Sequence, residues 1–145
     1  MKPCVNEKSL VLFQGDSITD CDRSREDGND LGNGYPAKIA GLWRNLYPGL
    51  GPRFLNRGIS GNRVRDLTAR YDADFRALKP DLVSILIGIN DTWRRYDSGD
   101  PTSTEAYEKN YRILLENLKR DLPGAAIVIM EPFLLNSDPA KAQWR

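Results

Sequence analysis

The segment Asp81-Leu82-Val83-Ser84-Ile85-Leu86-Ile87 constrains the fold more than any other. It is almost continuously apolar and rich in β-branched residues, without the alternation of a strand wetted on one face. Such a run reads as a strand buried on both sides. Strands of that kind belong to parallel sheets covered by helices.

The flanking segments supply the helices and the other strands. Ser9 to Gln14 is a short apolar run ending at Gly15, and Arg53 to Arg57 holds Phe54 and Leu55 at its centre. Both read as strands, as does Ala125 to Met130. Tyr35 to Leu46 has helical spacing in Ile39, Leu42, Trp43 and Leu46, with Pro36 suited to the first turn. Val64 to Leu78 places Val64, Leu67, Tyr71, Phe75 and Leu78 on one helical face, and Pro80 stops it. Thr104 to Asp121 places Tyr107, Tyr111, Leu114, Leu115 and Leu118 inward, and Thr102 and Glu105 have capping-box spacing before it. Pro123-Gly124 ends that helix, and Pro132 onward reads as loop.

Strands separated by helices imply right-handed crossovers. The expected fold is therefore α/β, three layers in the order α/β/α, with a mainly parallel, flavodoxin-like sheet. At 145 residues the chain suits a single domain over 1–145. In such sheets ligands bind beyond the carboxyl ends of the strands. Three polar, glycine-containing turns lie there: Gly15-Asp16-Ser17-Ile18-Thr19-Asp20, Gly58-Ile59-Ser60-Gly61-Asn62 and Gly88-Ile89-Asn90-Asp91.

Composition excludes several classes of function. The formal net charge is +1, which gives no electrostatic case for nucleic acid or an anionic membrane. No apolar run reaches the roughly 20 residues that cross a bilayer. The N-terminus lacks a signal-peptide core, so a cytoplasmic location is expected. Cys4 and Cys21 are too few for a disulfide framework and read as unpaired thiols. The chain contains no histidine, so a metal site or any other cofactor is not expected. For the same reason the chain alone cannot complete a mechanism that needs a histidine base.

Each turn has a bland reading. Asp16 or Ser17 could simply cap the next segment, Gly61 could be an ordinary turn glycine, and Asn90 a turn residue. The chemical reading is that Ser17 sits where a tight strand-to-helix turn presents its Oγ outward. Gly61 offers a close-approaching N–H, and Asn90 a side-chain amide, to the same space. Their order, each after an expected strand, favours the chemical reading.

The blocks Gly15-Asp16-Ser17-Ile18-Thr19, the glycine of Ser60-Gly61-Asn62, and Gly88-Ile89-Asn90-Asp91 resemble three of the four blocks of the SGNH (GDSL-like) hydrolase family. The resemblance implies that Ser17 is the nucleophile and a backbone oxyanion donor. Gly61 and Asn90 complete the oxyanion hole, and Asp16 and Asp91 support it. With Asn56-Arg57-Gly58, Val64-Arg65-Asp66-Leu67 and the segment Trp93-Arg94-Arg95-Tyr96, the pattern is similar to intracellular acetylxylan esterases. It implies a small acylated substrate, an acetylated oligosaccharide, and a possible homo-oligomer. Trp93, Arg94 and Tyr96 would then shape a sugar site or, equally, pack as a loop.

The family's fourth block, Asp-x-x-His, has no counterpart here, and Asp138 should not be promoted to it. The expectation is a domain truncated at its C-terminus, inactive alone and with an uncovered apolar sheet edge. Three competing functions remain at this point: a short-chain acyl esterase, a carbohydrate-binding relative without its base, and a protein that only keeps the fold. The charged loop from Cys21 to Asp30 reads as solvated, though it lies beside Ser17.

Overall fold

The computed structural model describes residues 5–133. Four parallel strands form one sheet: β1 (Leu10–Gly15), β2 (Arg53–Asn56), β3 (Leu82–Leu86) and β4 (Ala126–Met130). Their order is β2-β1-β3-β4. The chain leaves β1 toward one side for β2, then returns past β1 to lay down β3. The direction of winding therefore reverses at β1, which opens a crevice at the carboxyl ends of β1 and β3. Register places Gly15 opposite Leu86 and Phe13 opposite Asn56. The residues just after β1, β2 and β3 are thus brought to one edge. The three-layer parallel architecture is the one the sequence predicts.

Helices connect the strands. They are α1 (Ser17–Asp20), α2 (Tyr35–Leu46), α3 (Val64–Ala69), α4 (Ile89–Asp97) and α5 (Thr104–Asp121). A π-helical turn, Asp72–Arg76, follows α3. One apolar core lies between the sheet and α3, the π turn and α5. There Leu12, Leu55, Val83, Ile85 and Ile87 meet Leu67, Phe75, Leu114 and Leu118, all fully buried. On the opposite face Val11, Phe13 and Phe54 pack with Val5, Ala40, Tyr35 and Trp43. Burying eight or more large side chains at about 1.5–3 kcal/mol each makes the first core the main stabilising body.

Four sequence expectations change. The segment from Val64 to Leu78 is not one helix: it passes into an i→i+5 turn, in which the Ala77 N–H donates to the Asp72 carbonyl at 2.9 Å. The turn widens the backbone yet keeps Val64, Leu67, Tyr71 and Phe75 buried, so the apolar stripe that suggested the helix survives its interruption. On α2 the apolar stripe is not the buried face. Ile39, Leu42 and Leu46 are exposed, whereas Pro36 and Ala40 are buried, and Ala40, Tyr35 and Trp43 pack on the sheet.

The cap of α5 is Ser103, whose Oγ accepts from the Ala106 N–H at 3.1 Å. Thr102 instead faces the buried Arg63 at 3.4 Å. Finally, the segment after β3 is a nine-residue helix rather than a polar turn. Strand β4 forms a sheet edge, where Val128 and Ile129 are about half exposed. Pro132 and Phe133 lie outside any helix or strand. Cys4, Asp138 and the remainder of the expected C-terminal loop lie outside the described residues.

Candidate active site

Ser17 is the first residue of α1 and is exposed, at the carboxyl end of β1. Asp16, almost fully buried, caps this helix: its Oδ1 accepts from the Ile18 N–H at 3.0 Å. The Ser17 N–H precedes the helical ladder and points outward with the first-turn donors. Ser17, the one exposed residue of this turn, therefore offers a hydroxyl and a first-turn amide together.

Beside it runs the loop after β2. Asn56, wholly buried at the end of that strand, holds the two together. Its Nδ2 donates to the Thr19 carbonyl at 2.6 Å and the Leu31 carbonyl at 2.9 Å, and its Oδ1 accepts from the Gly58 N–H at 2.8 Å. A side chain at Gly58 would place Cβ 2.4 Å from the Asp20 nitrogen, so only glycine lets the loop lie against α1. The buried Asp20 carboxylate accepts from the Ser60 N–H at 2.9 Å and pairs with Arg25. The guanidinium groups of Arg23 and Arg25 both donate to the Gly58 carbonyl at 3.0 Å. The first part of the charged loop is therefore not merely solvated, since the Arg23 side chain is only 8% exposed.

Asn90 lies in the first turn of α4 and is 4% exposed. Its Nδ2 donates to the Asn62 carbonyl at 3.0 Å, while its Oδ1 accepts from Arg94 Nη2 at 3.3 Å. Asn62 is itself held by Arg70 Nε at 3.0 Å. An amide nitrogen carries two donors. One is committed to Asn62, and the other remains for a ligand. Gly61 lies between Ser60, tied to the Ser17 helix, and Asn62, tied to Asn90. Its φ of +84° is a left-handed conformation natural to glycine. Ser17, Gly61 and Asn90 thus occupy three mutually bonded segments at one sheet edge.

Asp91 Oδ2 accepts from the Val64 N–H at 3.2 Å and so anchors the start of α3, the helix that follows the Gly61 loop. Burial pushes the Asp91 carboxyl above the ordinary carboxylate range, and burial does the same to Asp16. Arg63, buried beside this junction, reaches the Asp100 carboxylate at 2.7 Å and the Asp100 carbonyl at 3.0 Å.

A cavity of about 450 Å³ opens between α4 and the start of α5, lined by Asp91, Arg95, Tyr96, Thr102, Tyr107 and Pro132 among others. Of the three expected sugar-site residues, Tyr96 lines it. Arg94 reaches Asn90 instead, and Trp93 is partly buried on the same helix. Among the described residues no cluster of three or more His, Cys, Asp or Glu could hold a metal ion. Among the described residues no helix is long and apolar enough to cross a membrane.

Sequence reasoning missed the supporting residues Asn56, Asp20, Arg23 and Arg63. Asn56 was visible as a polar residue closing an apolar strand and as part of the Asn56-Arg57-Gly58 block, with no sign of what its carboxamide binds. The arginines lay among charged neighbours that gave no sign of burial.

Comparison with known proteins agrees with this geometry. A family model described as the GDSL-like lipase/acylhydrolase family matches residues 13–145. An acetylxylan esterase of Geobacillus stearothermophilus is 46% identical over 134 residues, covering 88% of this chain and 61% of its own length. The chain therefore spans about three fifths of that curated relative. A GDSL-like lipase structure from Parabacteroides merdae superposes with a TM-score of 0.89 at 40% identity, covering 94% of this chain and 65% of that one. A catalytic mutant of the Geobacillus esterase, with an aspartate changed to alanine, superposes with a TM-score of 0.85 at 43% identity. That match covers 97% of this chain and 67% of the other.

Two outcomes follow from this packing. Asn56→Ala strands the Thr19 and Leu31 carbonyls and the Gly58 N–H, and should cost about 3–5 kcal/mol in urea unfolding. A cost below about 1 kcal/mol would show that water replaces the carboxamide without loss. For Asp91, a raised folded value means the native state favours the protonated form. Its contribution is full below about pH 4 and is lost as pH rises through the raised value. The stability of Asp91→Asn relative to the parent should therefore rise between about pH 4 and pH 7, and a gap constant with pH would refute the assignment.

Proposed function

The chain belongs to the GDSL-like lipase/acylhydrolase family, and from that premise we propose that it carries the nucleophile and oxyanion donors of a serine carboxylic-ester hydrolase. The substrate we propose is the acetyl ester of a xylo-oligosaccharide or a similar carbohydrate. The observation that carries this reading is the Asn90 carboxamide. It is buried, fixed at both ends by Asn62 and Arg94, and left with one donor in the segment bonded to Gly61. Folding alone does not call for a serine, a glycine and an oriented amide at one sheet edge.

In the proposed mechanism Ser17 Oγ attacks the ester carbonyl carbon while a base takes its proton. The carbonyl oxygen becomes an oxyanion held by the Ser17 and Gly61 N–H groups and by Asn90 Nδ2. The carbon–oxygen bond to the sugar then breaks, and the sugar hydroxyl leaves with the proton. Water attacks the acetyl-serine while the base takes its proton; the acyl carbon–Oγ bond then breaks, the base returns the proton to Ser17 Oγ, and acetate is released. Asp16 supports the nucleophile by taking the Ile18 N–H and leaving that of Ser17 for the oxyanion. The carbohydrate would lie toward the cavity lined by Tyr96, Tyr107 and Arg95, where aromatic faces and a cation suit a hydroxylated ring.

The base is not among these 145 residues, because the chain has no histidine. A serine without its base is a weak nucleophile. The 145-residue chain should therefore show negligible ester hydrolysis. In a longer protein that joins these residues to a histidine base, Ser17→Ala should abolish labelling by a fluorophosphonate. Retained labelling at the same stoichiometry would refute the nucleophile assignment. Asn90→Ala should lower kcat by about 10²–10³, and a loss below about fivefold would remove Asn90 from the oxyanion hole. Release of acetate from acetylated xylo-oligosaccharides, measured against esters of longer acids, tests the substrate: rates that rise with acyl length favour a lipid-type esterase.

A further inference from the structure

Arg94 meets the oxyanion segments at two points. Its Nη2 donates to Asn90 Oδ1 at 3.3 Å. The same nitrogen lies 3.5 Å from where a Cβ on Gly61 would stand. Its Nη1 pairs with Asp97 one turn further along α4, and the side chain is 28% exposed. The guanidinium is thus held between a carboxylate anchor and the carboxamide it touches.

This contact decides which way Asn90 faces. A carboxamide can turn over, exchanging its oxygen and nitrogen. The Asn62 carbonyl accepts only a donor, and Arg94 can only donate, so the two partners allow a single orientation. Turned over, the amide would set its oxygen against the Asn62 carbonyl and its NH₂ against a cation. Hydrogen bonding from a cation to the amide oxygen also draws electron density from the nitrogen, which makes its N–H groups stronger donors. Both effects act on the N–H that the proposed oxyanion would use.

We infer that Arg94 is a positioning residue for this hydrolase: its guanidinium sets the orientation and strengthens the donor of Asn90, rather than binding the sugar. The inference rests on the reading of Asn90 as an oxyanion donor. Glycine at position 61 is accounted for by its left-handed φ of +84°.

The test is a double-mutant cycle in that longer protein, with Arg94→Met, Asn90→Ala and the pair. Kinetics are taken on an acetylated xylo-oligosaccharide and on 4-nitrophenyl acetate, which has no sugar. Arg94→Met should lower kcat about tenfold on both substrates with KM within about twofold, inside the ceiling of about 10²–10³ for deleting a donor. In the Asn90→Ala background the same change should have almost no further effect. Arg94→Lys should recover part of the loss, and Asp97→Ala, which frees the guanidinium, should reproduce a smaller part. The last two variants carry the test if Arg94→Met proves unfolded by circular dichroism.

A rise in KM confined to the oligosaccharide, with kcat kept, would overturn the inference in favour of sugar contact. An undiminished loss in the Asn90→Ala background would overturn it in favour of an action independent of Asn90. If Asn90→Ala itself costs nothing, the oxyanion reading fails first. If Asn90→Ala is costly and Arg94→Met is silent, only the role of Arg94 fails.

Discussion

The buried carboxamide of Asn56 is the interaction on which the rest of the site depends. It joins the end of β2 to the carbonyls of α1 and of the following loop, and it holds the Gly58 N–H in the same cluster. A side chain with zero exposure cannot exchange these partners for water, so each bond is made in the native state or lost. The result is that the Ser17 helix and the Gly61 loop move as one body. A four-residue helix has almost no stability of its own, because nucleation costs more than so few bonds return. α1 is therefore held by its neighbours, and the neighbour that holds it also carries the second candidate donor.

The third donor is fixed by the other half of the fold. Register sets Gly15 beside Leu86, so β1 and β3 end together, and α4 begins directly above that edge. Asn90 then needs only one turn of helix to reach the loop after β2. The Arg70–Asn62–Asn90–Arg94 chain of hydrogen bonds runs from α3 to α4 across that loop. Asp91 and Arg63 close the same junction from below through Val64 and Asp100. Three strand ends are thereby tied into one rim, the preorganisation that the proposed oxyanion hole would need.

Much of this was legible from residues alone. The continuous apolar strand over 81–87 required helices on both faces, and the polar glycine turns fell where parallel sheets bind ligands. The helix over Thr104–Asp121 could be read to the residue because its stripe is long and regular. What failed did so for physical reasons. The stripe of Ile39, Leu42 and Leu46 promised a buried face, but the face turned to the sheet carries Ala40, Tyr35 and Trp43. α4 was hidden because Gly88-Ile89-Asn90-Asp91 has turn-like composition, while its helical bonds are secured by tertiary contacts at Asn62 and Val64. Arginines read as solvated proved to bind carbonyls, since burial of a guanidinium depends on partners far away in sequence.

The electrostatics of the rim follow from the same packing. Asp16 stands directly before the candidate nucleophile, where a full negative charge would oppose an oxyanion nearby. Burial, and to a lesser extent the neighbouring Asp91, raise its carboxyl above the ordinary range. Its Oδ1 accepts from the Ile18 N–H. On the far side the guanidinium of Arg94 stands behind the Asn90 amide, with Asp97 balancing it away from the crevice. The carboxylates of Asp16, Asp20 and Asp91 are spent on backbone N–H groups within the protein. That division would let a rim rich in acidic residues serve the proposed reaction, which creates negative charge.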